Sequence, residues 1–138
     1  MGLLGRVPAL TLIAVIALSV TSDKFAKAQQ PTIKRTDLLK TDLAGMEGKE
    51  MNIWTAALTP GAQTGKHHHP TPRFVVVLEG SVVVEMEGKP PQIFKAGQAF
   101  QEPPDVVHNF RNASTTEPAK AIGIQYAGKG QPLQVDDH

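Results

Sequence analysis

The sequence predicts an all-β protein built on a single domain, and three observations support this prediction. From Thr32 onward, short runs rich in Val, Ile and aromatic residues alternate with turns rich in Gly and Pro. No segment keeps apolar residues at helical spacing for three turns. The length of 138 residues suits one core of ordinary size. Short strands at such close spacing favour a sandwich or barrel over parallel βαβ units.

The first 28 residues depart from this pattern and have the features of an export signal. Arg6 precedes an apolar run, residues 7–20, that is too short to span a bilayer as a stable helix. The sequence Ala26-Lys27-Ala28 places small residues one and three positions before a cut after Ala28. We therefore expect a cleaved signal peptide and a periplasmic or secreted protein, with an uncleaved membrane anchor as the alternative.

Charge and cysteine content restrict the partners of the mature chain. Removal of the leader changes the formal net charge from +1 to −1, because eleven basic and twelve acidic residues remain. That balance, without a basic stripe, argues against a nucleic acid partner. The chain has no cysteine, which excludes disulfides, thiolate ligands and a lipid-modified cysteine. We expect no membrane attachment after processing, and any metal must bind to nitrogen or oxygen.

Six segments are predicted as strands, and turn signals lie between most of them. Gly supplies a positive φ angle in these turns and Pro fixes the entry angle. The predicted strands are residues 51–58, 74–78, 81–86, 98–101, 106–110 and 120–126. The turns between them are residues 59–61, 79–80, 87–91, 96–97 and 103–105. The polar tail from Gly128 is predicted as a surface arm that ends in an exposed His138.

The run His67-His68-His69 is the densest chemical feature of the chain. In a strand, side chains two positions apart face the same way and the one between them faces the other way. His67 and His69 therefore form a pair, and His68 points away. Two imidazoles on one face, joined by ligands from a neighbouring strand, have the arrangement that a transition metal requires. Taken alone, such a cluster is equally compatible with a histidine-rich surface patch.

Two motifs in this chain resemble those of the cupin family. The first family motif, G-x5-H-x-H-x3-4-E-x6-G, is matched at Gly61, His67, His69 and Gly80. The second, G-x5-P-x-G-x2-H-x3-N, is matched at Gly97, Pro103, His108 and Asn112, with Asp105 where the family usually has Gly.

This resemblance implies a single cupin barrel, which is a double-stranded β-helix or jelly roll. We expect the cupin domain to cover residues 29–138, with its core at about residues 50–127. It also implies that His108 joins His67 and His69 as a third ligand of one divalent transition-metal ion. Three neutral imidazoles are suitable for Fe, Mn, Ni, Cu or Zn, and the residues leave the identity of the metal open.

One departure from the family motif affects the expected site. The family's metal-binding glutamate is replaced by Arg73, and a guanidinium has no lone pair to offer a metal. Glu102, six residues before His108, is the first candidate for the missing carboxylate, as a replacement ligand or as an acid that orients a ligand histidine. A solvated rim carboxylate is the alternative for Glu102. Glu79 is a weaker candidate, because its place in a Leu-Glu-Gly turn favours a structural role.

Arg73 itself has two interpretations. If Arg73, Val75 and Val77 share the inner face of a strand, an arginine near a cation requires an anion beside it. Arg73 would then pair with Glu102 or bind a substrate carboxylate. Alternatively, Pro70 and Pro72 disturb the strand and Arg73 turns outward.

The resemblance implies a scaffold more firmly than a reaction. One hypothesis is an exported metal-dependent enzyme, a dioxygenase-like protein acting on a small organic molecule. Another is a non-catalytic periplasmic cupin that binds a small ligand or a metal, which the loss of the usual glutamate favours. A third is a barrel whose histidines are satisfied by hydrogen bonds alone. The sequence thus leaves open whether the chain is an enzyme, and edge strands make a homodimer a further expectation.

Overall fold

The structure is a computed structural model that describes Gly2 and residues 29–138. The expected signal peptide, residues 1–28, therefore lies outside the described residues apart from Gly2. Within the described part, no helix is long and apolar enough to cross a membrane. The described residues form ten strands, whose bounds are as follows: β1 Ile33–Asp42, β2 Lys49–Leu58, β3 His67–His68, β4 Arg73–Glu79, β5 Ser81–Met86, β6 Gln92–Lys95, β7 Ala99–Glu102, β8 His108–Asn112, β9 Ala119–Gly128 and β10 Val135–Asp136.

The strands form two five-stranded antiparallel sheets that pack face to face. One sheet has the order β1-β2-β9-β4-β7, and the other has the order β10-β3-β8-β5-β6. Neighbours in each sheet are mostly far apart in sequence, as in a jelly roll. The prediction of an all-β jelly-roll barrel is confirmed.

The core lies between the two sheets and follows from period-2 patterning. Along β9, every second residue from Ala119 to Ala127 is buried. Along β4, Arg73, Val75 and Val77 are buried while Phe74 is exposed. The inward residues include both an apolar core cluster and a set of buried polar side chains. Members of both groups line one cavity inside the barrel.

All six predicted strands are present, with ends that differ from the prediction by at most two residues. β5 has the predicted bounds, and β2, β4 and β9 extend beyond the predicted segments at one or both ends. β7 and β8 begin one and two residues later than predicted. The sequence pattern therefore located the strands that carry the core.

Four strands were not predicted, because pairing rather than side-chain pattern forms them. β1 has nine of its ten residues exposed, and its backbone is held by antiparallel pairing with β2 along its length, with one register shift between Asp37 and Leu39. β6 is a short edge strand paired with β5. β3 and β10 have two residues each and pair with one another. The predicted surface arm is therefore partly wrong: its end joins a sheet, although His138 is exposed as expected.

Asp105 stands where the second family motif usually has Gly, and its backbone conformation shows how the turn is kept. Its φ angle is 58°, in the left-handed region that normally favours glycine. Aspartate is among the few other residues that adopt this conformation readily. Its backbone N–H donates to the carbonyl of His69 at 2.9 Å, which connects the turn to the histidine run. The aspartate thus keeps the turn that places His108.

Candidate metal centre

Three histidines meet inside the barrel, as the sequence predicted. His67 lies in β3, His69 follows this strand, and His108 begins the neighbouring β8. His67 and His108 are direct partners in the antiparallel register of β3 and β8. All three side chains are fully buried, and one nitrogen from each lies within 4.8 Å of the others. Local strand alternation and one cross-strand pair therefore bring together three nitrogens that could hold a metal ion.

Backbone carbonyls fix the orientation of all three rings. The Nδ1 atoms of His67, His69 and His108 donate to the carbonyls of Gly65, Leu133 and Val106, at 3.0, 2.9 and 2.8 Å respectively. A proton on Nδ1 leaves the Nε2 lone pair of a neutral ring free to bind a metal.

The Nε2 atoms have the environment of a ligand set. Those of His69 and His108 are 3.2 Å apart. The Nε2 of His67 is buried and has no hydrogen-bond partner among the described residues. A buried nitrogen of this kind is costly unless something binds it. These residues therefore fit a divalent metal ion, and an explanation by internal hydrogen bonds alone fails at His67.

Glu102 completes the cluster from β7. It is 1% exposed, which rules out the interpretation as a solvated rim carboxylate. Its Oε2 lies 3.0 Å from His69 Nε2, and its Oε1 lies 3.4 Å from His108 Nε2. Burial alone would raise the pKa of Glu102, but the hydrogen bond and charge of His108, with the charge of Arg73, hold it well below the usual range. Glu102 is therefore an ionised carboxylate in contact with two of the three imidazoles.

The same carboxylate separates the pKa values of the two histidines that it contacts. Burial lowers the pKa of His69, and the hydrogen bond to Glu102 only partly opposes this. For His108, burial acts in the same direction, but the hydrogen bond and charge of Glu102 raise the pKa above the ordinary value. Of the two, His108 is therefore the imidazole that more readily takes a second proton beside Glu102, and metal binding through its Nε2 requires that proton to be absent.

Arg73 faces inward, so the outward interpretation is wrong. It is 9% exposed and is the direct register partner of Glu102 across β4 and β7. Its Nη1 lies 3.9 Å from Glu102 Oε2, while Nε donates to Gln125 Oε1 at 3.0 Å. Burial lowers the pKa of Arg73 to about 10, against the opposing charge of Glu102, so the guanidinium stays protonated at neutral pH. The bend containing Pro70 and Pro72 leaves the alternation of β4 intact.

Two other candidates lie outside this cluster. Glu79 is exposed in its turn, which agrees with the structural role favoured for it. His68 points away as predicted, and its Nδ1 lies 2.8 Å from a carboxylate oxygen of Asp137.

The structure also adds residues that the sequence did not single out. The carbonyl of Leu133, in the tail, accepts from Arg73 Nη2 at 3.2 Å as well as from His69. Gln125 is fully buried and connects Arg73 to Thr71. For Gln125, the only sequence signal of a role in the site was a polar residue at an inward position of the apolar alternation in β9. Nothing in the sequence marked Leu133, because it contributes a backbone carbonyl, which has no side-chain signature.

A cavity of about 400 Å³ opens onto the cluster. His67, Glu102 and Arg73 lie on its wall, so a metal held by the histidines would be reachable from it. Trp54 also lines this cavity, together with Arg35 from β1. Its volume is in the range of small-molecule sites.

The stability of the metal-free protein is expected to depend on pH through His67. Burial, opposed by the hydrogen bond to Gly65, lowers the pKa of His67 from 6.5 to about 4. The unfolded chain therefore binds more protons between these values, and stability falls as the pH falls through this range. We expect His67 to account for about 2 kcal/mol of lost stability between pH 8 and pH 5. Urea unfolding of the metal-free protein at both pH values, beside His67→Gln, measures this loss. An equal loss in the variant would contradict the assignment to His67.

Comparison with known proteins agrees with the fold. The model of the cupin domain family Cupin_2 matches residues 54–124, which is just over half of the chain. Protein SchB of Streptomyces halstedii is 33% identical over 81 residues, which cover 58% of this chain and 56% of SchB. Dimethylsulfoniopropionate lyase DddW of Ruegeria pomeroyi is 38% identical over 60 residues, which cover 44% of this chain and 39% of the lyase. The chain thus spans about half or less of the length of these curated relatives.

Solved structures show the same architecture. A cupin-like protein from Thermotoga maritima is 28% identical with a TM-score of 0.58, over 71% of this chain and 77% of that protein. A cupin domain from Bordetella pertussis is 22% identical with a TM-score of 0.56, over 72% of this chain and 98% of that domain. The lyase DddQ of Ruegeria pomeroyi is 20% identical with a TM-score of 0.60, over 75% of this chain and 51% of the lyase. With the family model matching half of its length, this chain belongs to the cupin family.

Proposed function

We propose that this protein is a metal-dependent cupin enzyme that acts on a small organic molecule. The observation that carries the proposal is the unpartnered, buried Nε2 of His67 beside the Nε2 atoms of His69 and His108. His67 and Glu102 also line the cavity, so the ligand set is reachable by a small molecule. A divalent metal held there would supply Lewis-acid or redox chemistry at an open coordination position.

The protein's own residues have distinct tasks in this proposal. His67, His69 and His108 bind the metal through Nε2, and the carbonyls that accept from Nδ1 hold the rings in place. Glu102 either binds the metal directly or accepts a proton beside it, because its ionised oxygens already contact His69 and His108. Arg73 balances the charge of Glu102 and faces the cavity.

The alternative of a non-catalytic binding cupin rested on the loss of the family glutamate at position 73. The buried Glu102, directly opposite Arg73 in the β4–β7 register, weakens that reason. A carboxylate accompanies the three histidines, contributed by the neighbouring strand. An intact ligand set with access to a cavity favours an enzyme over a storage or sequestering barrel.

Two reaction classes suit this centre. An oxygenase is the first candidate, since a histidine-rich centre with open positions is typical of metal sites that handle O2. A lyase is the second candidate, and the similarity to dimethylsulfoniopropionate lyase DddW favours it. An oxygenase consumes one O2 per turnover, whereas a lyase produces an unsaturated product without O2. An oxygen electrode together with product analysis therefore separates the two.

The first test is the metal content of the chain produced without a polyhistidine tag. We expect close to one equivalent of Fe, Mn, Ni, Cu or Zn per chain by mass spectrometry, either as purified or after reconstitution. Turnover of a panel of small organic acids should then depend on the metal. A chain that stays empty with all five ions would reject the proposed function.

Export and self-association are further parts of the proposal. The leader pattern in residues 1–28 supports export to the periplasm or medium, and mass determination of the mature chain tests for a start at Gln29. The exposed apolar residues Phe74, Leu39 and Leu78 support a homodimer, since they lie on the strands of one sheet. Light scattering of the purified protein would show a monomer if this is wrong.

A further inference from the structure

We infer that Arg35 and Arg73 form, over the ring of Trp54, a binding subsite for the carboxylate of a small organic acid. This inference rests on the proposed function in one respect, which is that the bound acid is the substrate of the metal centre. The subsite itself follows from the geometry of three cavity-lining residues.

The two guanidinium groups share one aromatic platform. The Cζ of Arg35 lies 4.0 Å from the centre of the Trp54 ring, and that of Arg73 lies 4.8 Å from it. Trp54 is buried and fixed, because its ring packs directly on Gly123, its register partner in β9. Stacking on a rigid indole orients both cations and reduces the entropy that binding would cost.

The arginines retain donors for a ligand. Arg73 uses Nε for Gln125 and Nη2 for Leu133, while its Nη1 lies 3.9 Å from Glu102, beyond hydrogen-bond distance. Arg35 uses only Nε, in an ion pair with Asp37. In the described part of the chain, the remaining Nη groups make no hydrogen bond to protein. The Nη groups of these two arginines lie beside one cavity and can donate hydrogen bonds to the two oxygens of a carboxylate.

The charge of the cavity also favours an anion. Arg35, Arg73 and a metal ion would contribute positive charge, and the three histidines would bind the metal as neutral rings. Glu102 is the only acidic residue that lines the cavity among the described residues. Asp37, which pairs with Arg35 at 2.7 Å, is 71% exposed and does not line the cavity. An anionic ligand would therefore balance the positive charge that remains at the site once a metal is bound.

The rest of the wall defines the size and polarity of the ligand. Apolar side chains line the cavity between the arginines and the histidines; they are Ile33, Ala56, Val75, Phe110 and Ala121. A volume of about 400 Å³ leaves room for a small organic acid and sets no tighter limit on its length. The carboxylate would bind the arginines while the chain extends along the apolar wall toward His67 and Glu102.

Trp54 allows a direct test, because it is the only tryptophan in the sequence. Butanoate is titrated into the metal-free protein, and binding is followed by Trp fluorescence and by calorimetry. Butan-1-ol serves as an uncharged analogue with the same carbon chain, and inorganic phosphate serves as another anion. We expect saturable binding of butanoate that changes Trp54 emission, with butan-1-ol bound at least about tenfold more weakly. Phosphate binding as tight as that of butanoate would overturn the assignment to a carboxylic acid with an apolar chain.

Matched arginine variants locate the subsite. Arg35→Gln and Arg73→Gln are each expected to weaken butanoate binding about tenfold, since each removes a charged donor. Arg111→Gln is the control, because Arg111 pairs with Glu85 away from the cavity and should leave binding unchanged. Arg35 lies in a largely exposed edge strand, so its variant is expected to fold even if Arg73→Gln does not. Unchanged butanoate binding in Arg35→Gln would overturn the inference.

The two proposals fail in different ways. Full metal binding combined with equal affinity for butanoate and butan-1-ol would reject the carboxylate subsite and leave the metal centre intact. A chain that binds no metal but binds butanoate through both arginines would reject the metal-dependent enzyme. In that case the subsite would belong to a binding protein for small acids.

Discussion

Replacement of His108 by alanine is expected to weaken metal binding by at least about 100-fold. Loss of residues that merely orient a metal ligand weakens metal binding about 10- to 100-fold, and removal of a direct ligand should cost at least as much. His108 is buried, and its ring is held between Val106 and the other two imidazoles, so no other described side chain is placed to substitute for it. Competition with a chelator of known affinity, together with metal analysis, measures the effect.

His68→Ala is the matched control for this variant. His68 belongs to the same histidine run but faces outward and pairs with Asp137. Its loss should leave the metal affinity within about twofold of the parent chain, because it contributes no atom to the centre. A comparable loss of metal in His68→Ala and His108→Ala would contradict the assigned ligand set and point to a surface histidine patch instead.

Glu102→Gln separates the two roles open to this carboxylate. If Glu102 is a ligand, the variant should lose metal as severely as His108→Ala. If it orients His69 and accepts a proton, metal affinity should fall by about 10- to 100-fold, as it does when a residue that only orients a metal ligand is lost. Because this variant leaves Arg73 buried without its carboxylate, its folding must be checked by thermal unfolding at the same time.

The second large effect is expected at Gly123, which should not tolerate even an alanine. A Cβ atom at this position would overlap Cε2 and Cζ2 of Trp54 and lie 2.8 Å from its Nε1. The indole is buried between β9 and the two arginines and cannot move without disturbing them. We expect Gly123→Ala to lower the free energy of unfolding by about 3 kcal/mol, at the upper end of the usual cost of overpacking. Urea unfolding followed by circular dichroism measures this change.

Gly128→Ala, in the same strand, is the control for backbone and propensity effects. A Cβ atom there would meet Gln131 Oε1 at 3.4 Å, with Gln131 Cβ at 3.8 Å and Lys49 Nζ at 3.9 Å, which are ordinary contact distances to flexible side chains. We expect a change of less than about 1 kcal/mol, of either sign. Equal destabilisation by the two substitutions would mean that loss of glycine itself, and not the overlap with Trp54, causes the effect.

The sequence by itself determined the features that depend on local periodicity. The two-residue period of strands placed His67 and His69 on one face with His68 on the other, and the structure agrees. Turn residues located the core strands. The place of His108 in the same cluster was implied by the resemblance to the cupin motifs and not by local periodicity. These inferences worked because each requires only the geometry of a few neighbouring residues or a motif of fixed length.

Only the tertiary structure decided which distant residues complete the site. Glu102 faces Arg73 because β7 pairs with β4 in one particular register, and Arg35 reaches Trp54 because β1 lies beside β2. The carbonyl of Leu133 joins the site because the tail forms β10. A one-residue change of register would turn such side chains to the opposite face, and register is set by packing across the whole barrel. The local sequence around Arg73 was therefore compatible with an inward or an outward side chain. Packing against Glu102 and Gln125 in the folded barrel selected the inward direction.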